Sequence, residues 1–157
     1  MRTTAKVDYA VRAAIELARA YPTGEDRPTP LTRQAIADAQ AIPSKFLEHI
    51  LADLKRSQLV GSVRGADGGY WLARPPDEIT MADIIRAAEG PLADVRGERP
   101  DALDYPDDLQ VLQRAWVAVR ANLRAVLERV TLADLRDGQL VADVEALAAA
   151  PDSWVTR

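Results

Sequence analysis

The run Val63-Arg64-Gly65-Ala66-Asp67-Gly68-Gly69-Tyr70 constrains this chain more than any other segment, because it interrupts a pattern that is otherwise helical almost throughout. Glycine costs a helix interior roughly 1 kcal/mol per residue, whereas a tight turn exploits the positive φ that only glycine adopts freely. Strand-like runs flank the glycines, Leu59 to Arg64 and Gly69 to Leu72, so the segment is predicted to be a β-hairpin turning at Gly65-Ala66-Asp67-Gly68. Pro75 and Pro76 close it. The fold class that follows is mainly α, with a small β-hairpin projecting from a helical body.

Upstream, Val7, Val11, Ala14, Ile15 and Ala18 recur at helical spacing and predict a helix over residues 4–20. The stretch Tyr21–Pro30 carries three prolines and a glycine and reads as a loop. Thr32 is a candidate N-cap for a short helix reaching Ala39, and Pro43 opens a third helix at its first turn, running to about Ser57. Past the hairpin, Thr80 and Asp83 stand in capping-box spacing at the head of a helix that ends at Gly90. A polar loop over Pro91–Pro106 leads into a helix predicted from Asp107 to Val130, roughly 36 Å long. Thr131 and Asp134 repeat the capping pattern for a short helix ending near Gly138; Val141–Ala150 reads as helix or irregular chain. Three helices, a hairpin and a helix are the order of a winged helix-turn-helix. The expected division is a DNA-binding unit over 1–90, a loop over 91–106, and a dimerisation helix with a helical tail over 107–157.

Candidate binding residues lie on the third helix and the hairpin. At about 100° per residue, Phe46, Leu47, Ile50, Leu51 and Leu54 are assigned to the core, while Lys45, Glu48, His49, Ala52 and Arg56 face outward. The outer side is short, polar and partly basic, and suits either a major groove or plain solvent. The hairpin weighs for DNA: Arg64 stands on a ribbon stripped of bulk by Gly65 and Gly68, beside Tyr70, as a narrow minor groove requires. Thr32 and Arg33, at the start of the second helix, join the candidate contacts. A nucleotide-phosphate loop is disfavoured, since the glycines lack P-loop spacing and do not open a helix.

Composition excludes several alternatives. Cysteine is absent and His49 is the sole histidine, which removes disulfides, thiolate nucleophiles, zinc–cysteine sites and imidazole metal clusters. No metal or cofactor is expected, and no nucleophile elbow or convergent acid–base set points to an enzyme. No apolar stretch reaches the ~20 residues of a membrane span, and Asp8, Arg12, Glu16 and Arg19 interrupt any signal-like run, so the expectation is a cytoplasmic protein. The net charge of −4 sits in the C-terminal part, because residues 1–90 balance 12 basic against 12 acidic side chains.

Taken together, Tyr9-Ala10, Ile42-Pro43-Ser44-Lys45-Phe46-Leu47-Glu48, Leu59-Val60, the R-G-x-x-G-G-Y run and Ile79-Thr80 resemble the Rrf2 family of bacterial transcriptional regulators. The resemblance covers residues 1–90 well and continues in outline through Thr131-Leu132-Ala133-Asp134-Leu135. It implies a homodimer on a palindromic operator, usually a repressor, with the third helix in the major groove and the wing arginine in the minor groove. Those roles fall on Lys45, Glu48, His49 and Arg64. Relatives often hold an iron–sulfur cluster through cysteines in the loop before the long helix; Pro91–Pro106 has none, and Asp8, which matches a carboxylate ligand of some relatives, cannot hold a cluster alone. No iron–sulfur centre is expected.

Along the long helix, Leu109, Leu112, Trp116, Val119, Leu123, Val126 and Val130 step by three and four, an a/d seam held over three heptads. A second copy of the chain is its expected recipient. Relatives place their sensors near Tyr9 and Trp116, which raises two readings for these residues: a site for a small apolar or aromatic effector, or ordinary core and interface packing. The competing reading is a winged-helix protein–protein adaptor that does not bind DNA; an arginine on a glycine hairpin argues against it.

Overall fold

Four helices, a hairpin and a further short helix enclose one aliphatic core. The computed structural model describes residues 3–22, 24 and 28–155, so part of the expected loop at 21–30 lies outside the described residues. Helix α1 (Ala5–Arg19) starts at Thr4, whose hydroxyl accepts from the Val7 amide. The helix is central because small and branched residues, Val7, Ala10, Val11, Ala14, Leu17 and Ala18, let four neighbours approach it. Helix α2 (Arg33–Gln40) is capped by Thr32, which accepts from the Ala35 amide at 3.1 Å. The turn to α3 (Ser44–Arg56) passes through Ala41 in the left-handed region, φ 51°. Pro43 is the N-cap of α3, so the helix begins at Ser44, one residue later than expected.

Leu47, Ile50, Leu51 and Leu54 of α3 are fully buried. Phe46 is not: it is 51% exposed, which corrects its assignment to the core. It sits about 100° around the helix from the buried stripe, and its ring instead meets Tyr9 of α1 edge-on at 6.0 Å.

Strands β1 (Val60–Val63) and β2 (Gly69–Leu72) pair antiparallel, with Val60 opposite Leu72 and Val63 opposite Gly69. The turn depends on two glycines. Gly65 has φ +117°, and a Cβ on Gly68 would lie 2.5 Å from the Val63 carbonyl oxygen. Leu31, just before α2, adds a bridge to the outside of β2: its amide donates to the Tyr70 carbonyl at 2.9 Å and the return bond is 2.8 Å. The wing is thereby tied to the start of the helix-turn-helix.

Helix α4 (Met81–Glu89) and the short α6 (Leu132–Asp137) each begin with the expected capping box, Thr80 with Asp83 and Thr131 with Asp134. The two caps lie side by side, since the Met81 amide donates to the Val130 carbonyl at 2.8 Å and Leu132 to Ile79 at 2.9 Å. Leu132 thus enters the core against α1. Helix α5 spans only Gln110–Leu127, after a 3-10 turn at Asp107–Leu109. Its expected extension to Val130 is corrected: Glu128 caps the helix, and Val130 is extended and 3% exposed within its own chain, so it is unavailable to a partner helix.

Residues 91–106 are more ordered than a polar loop. Leu92, Pro100 and Leu103 are buried, and Gln113 of α5 donates through Nε2 to the Leu103 carbonyl at 2.6 Å. The C-terminal segment forms α7 (Ala142–Ala149), resolving the open reading there as helix. Among the described residues no helix is long and apolar enough to cross a membrane.

Candidate nucleic-acid interface

Three sides of α3 carry three kinds of chemistry. The side 180° from the core holds Lys45, His49, Ala52 and Arg56, all exposed. One flank, carrying Phe46 and Asp53, faces α1, where Lys6 pairs with Asp53 at 2.8 Å. The other flank, with Glu48 and Lys55, faces the wing. Between that flank and the hairpin lies an open groove of about 520 Å³, lined by Thr32, Arg33, Glu48, Lys55, Arg64 and Tyr70 among others.

The expected contacts separate on this geometry. Thr32, Arg33, Glu48, Arg64, Gly65, Gly68 and Tyr70 all line the groove. Lys45 and His49 stand outside it on the outward side of α3. Among the described residues Lys45, His49 and Arg64 form no internal hydrogen bond or ion pair, so their donors are available to a ligand. Arg56 is different. Its Nη1 lies 2.8 Å from the Asp53 carboxylate, and the hydrogen bond from Lys6, supported by Arg56, holds that carboxyl below its usual range. Arg56 is therefore a paired cation at the far end of the helix. Arg33 Nη1 donates to Glu48 Oε2 at 2.9 Å, joining the first residue of α2 to the middle of α3.

Sequence reasoning missed Lys55 and Ser62. Lys55 Nζ donates to Ser62 Oγ at 2.7 Å across the groove floor, holding β1 to α3 and adding a cation between helix and wing. The available signal was the i, i+7 relation of Lys55 to Glu48, which puts both on one flank. The groove lies between an element sized for a major groove and a ribbon sized for a minor one. A sugar–phosphate strand is what separates those grooves in duplex DNA, and three cations, Arg33, Lys55 and Arg64, line the groove.

The expected effector residues are not brought together within one chain. Tyr9 packs on Phe46 and under the Arg12 guanidinium, 5.7 Å from the ring centre, while Trp116 lies half-exposed on α5. The cleft at the base of α5, about 480 Å³, is formed instead by Val7, Ile85, Leu92, Leu123 and Leu127 with the acids Glu89 and Asp94.

A helix-turn-helix followed by a hairpin that carries Arg64 beside its second helix is the arrangement of winged-helix transcriptional regulators, which act on DNA. The comparisons with known proteins agree. The model of the family described as "Rrf2: Iron-dependent Transcriptional regulator" matches residues 3–138, and the chain belongs to that family. A Mycobacterium tuberculosis protein named as an HTH-type transcriptional regulator is 45% identical over 148 residues, 94% of this chain and 89% of that protein. The structure of CymR, the global cysteine regulator of Bacillus subtilis, superposes with a TM-score of 0.71 at 32% identity, covering 88% of this chain and 98% of that one. The IscR structure from T. potens gives 0.65 at 31% identity, covering 100% and 93%.

The iron in the family description does not fit these residues. The sequence has no cysteine, and its one imidazole, His49, projects from the outside of α3. Among the described residues no three His, Cys, Asp or Glu side chains converge as metal ligands. Residues 91–106 present Leu92, Pro100 and Leu103 inward instead of ligands.

Proposed function

We propose that this regulator is a homodimeric repressor that binds a palindromic operator in the cytoplasm without an iron–sulfur cluster. In this reading α3 enters the major groove with Lys45, Glu48 and His49 toward the bases, and Arg64 enters the adjacent minor groove. Thr32, Arg33 and Lys55 flank the intervening phosphates. Repression follows from occupancy: a protein covering promoter DNA excludes polymerase.

One observation carries the homodimer. Helix α5 buries none of its residues, yet it presents Leu112, Trp116 and Val119 on one seam, each 38–40% exposed, with Leu109 at its N-cap preceding them and Leu123 and Val126 continuing the seam. Exposed apolar residues aligned over 18 residues of helix are the pattern that a second identical helix covers. Pairing two chains places two wings and two recognition helices on one duplex and raises affinity through effective concentration.

The test combines light scattering of the purified protein with selection of bound fragments from random and promoter DNA. A dimer that enriches an inverted repeat is the expected result. A monomer, or binding that never prefers one duplex over another at moderate salt, overturns the proposal.

A further inference from the structure

We infer that Arg33 is a specificity-positioning residue: it aims the Glu48 carboxylate, and through it the chain discriminates one base-pair position of its operator. The inference rests on the DNA-binding reading above. Among the described residues Glu48 is the only carboxylate lining the groove between α3 and the wing, and the other charged groups there, Arg33, Lys55 and Arg64, are cations. An unpaired carboxylate beside a phosphate strand is repelled by it, and a glutamate with three rotatable bonds has no preferred direction of its own. Arg33 supplies both what is missing. Its Nη1 bonds one carboxylate oxygen, Oε2, at 2.9 Å, which leaves Oε1 with its lone pairs to accept from a base-edge amino group such as cytosine N4.

The backbone that carries Arg33 is fixed for this purpose. Thr32 caps α2 through the Ala35 amide, and Leu31 is bridged to Tyr70 of the wing, so Arg33 follows two anchored residues. The pair does little for the fold. Both side chains are well exposed, 43% and 64%, and such pairs add little to stability. Its position in the groove, not stability, is what singles it out.

The experiment measures binding of the full chain, with wild type, Arg33→Ala, Glu48→Ala and the double variant, to the selected operator and to every single base-pair substitution of it. Both single variants are expected to lose about tenfold of discrimination at the same position, with the double variant no worse than either. Arg33→Met, which keeps the aliphatic stem, serves if the alanine variant does not fold. The inference is overturned if removing Arg33 weakens all sequences equally and adds to the Glu48 effect, as a plain phosphate contact would. It is equally overturned if only the melting temperature moves. A wild-type protein without sequence preference would bring down the regulator reading and this inference together, whereas uniform losses in a selective wild type remove this inference alone.

Discussion

Helices α1 and α5 carry the same kind of apolar periodicity and meet opposite fates. Val7, Ala10, Val11, Ala14, Leu17 and Ala18 of α1 are buried by α2, α3, α4 and α6 of their own chain. Leu112, Trp116 and Val119 of α5 remain on the surface. The difference teaches that a hydrophobic stripe specifies that something must cover it, not what. In α1 the stripe is rich in alanine, which lets helices crowd around it. In α5 larger residues stand on a helix joined to the body mainly through its C-terminal end and the 91–106 strap.

The largest effect that would sharpen this contrast is in the body. Leu54→Ala, at a site with no exposed surface, is expected to cost about 3 kcal/mol, read from urea unfolding. A cost under 1 kcal/mol would mean that the body is not one packed core. On α5 the expected damage is to assembly. Trp116→Glu should convert the proposed dimer to a monomer with unchanged helical circular dichroism and weaken operator binding about a hundredfold; a dimer that survives would break the comparison outright. Arg64→Ala separates the two regions from the other side, leaving the dimer intact while costing operator binding about 1–3 kcal/mol in a gel-shift titration.

The smallest effect concerns the tether between the regions. Glu128, the C-cap of α5, accepts from Arg124 one turn earlier and from Arg86 of α4, and these two bonds, Arg124 foremost, lower its pKa from 4.5 to about 2. A carboxylate whose folded pKa lies below its unfolded value contributes stability that is complete above about pH 4.5. That contribution is lost as the pH falls toward about 2. The pair is partly exposed, so the amount is a few tenths of a kcal/mol. Glu128→Gln is expected to flatten the fall in melting temperature over that acid range while barely changing it at pH 7. An unchanged acid limb would show that the tether does not couple α5 to the body.

Local chemistry was the legible part of this molecule. Thr32, Thr80 and Thr131 cap helices where their spacing to the next donor or acid indicates, and the wing turns at Gly65 and Gly68 because backbone geometry there excludes a side chain. The site was half legible. Residue types on α3 and the hairpin singled out Lys45, His49 and Arg64 as candidates, but the bonds Arg33–Glu48 and Lys55–Ser62 join different elements, and periodicity within one element does not record which partner a side chain takes.

By itself the sequence determined which segments before Gly138 hold helices, which threonines cap them, that one glycine hairpin projects, and that no thiol chemistry is available. These follow from interactions within about four residues, which any fold of the chain must satisfy. Only the tertiary structure decided that Val130 leaves the α5 seam for the cap-to-cap bridge between Ile79 and Leu132. It also turned Phe46 toward Tyr9 and gave Glu48 an arginine partner. Those outcomes depend on which distant surfaces compete for the same apolar or charged group, and periodicity along the chain carries no record of that competition.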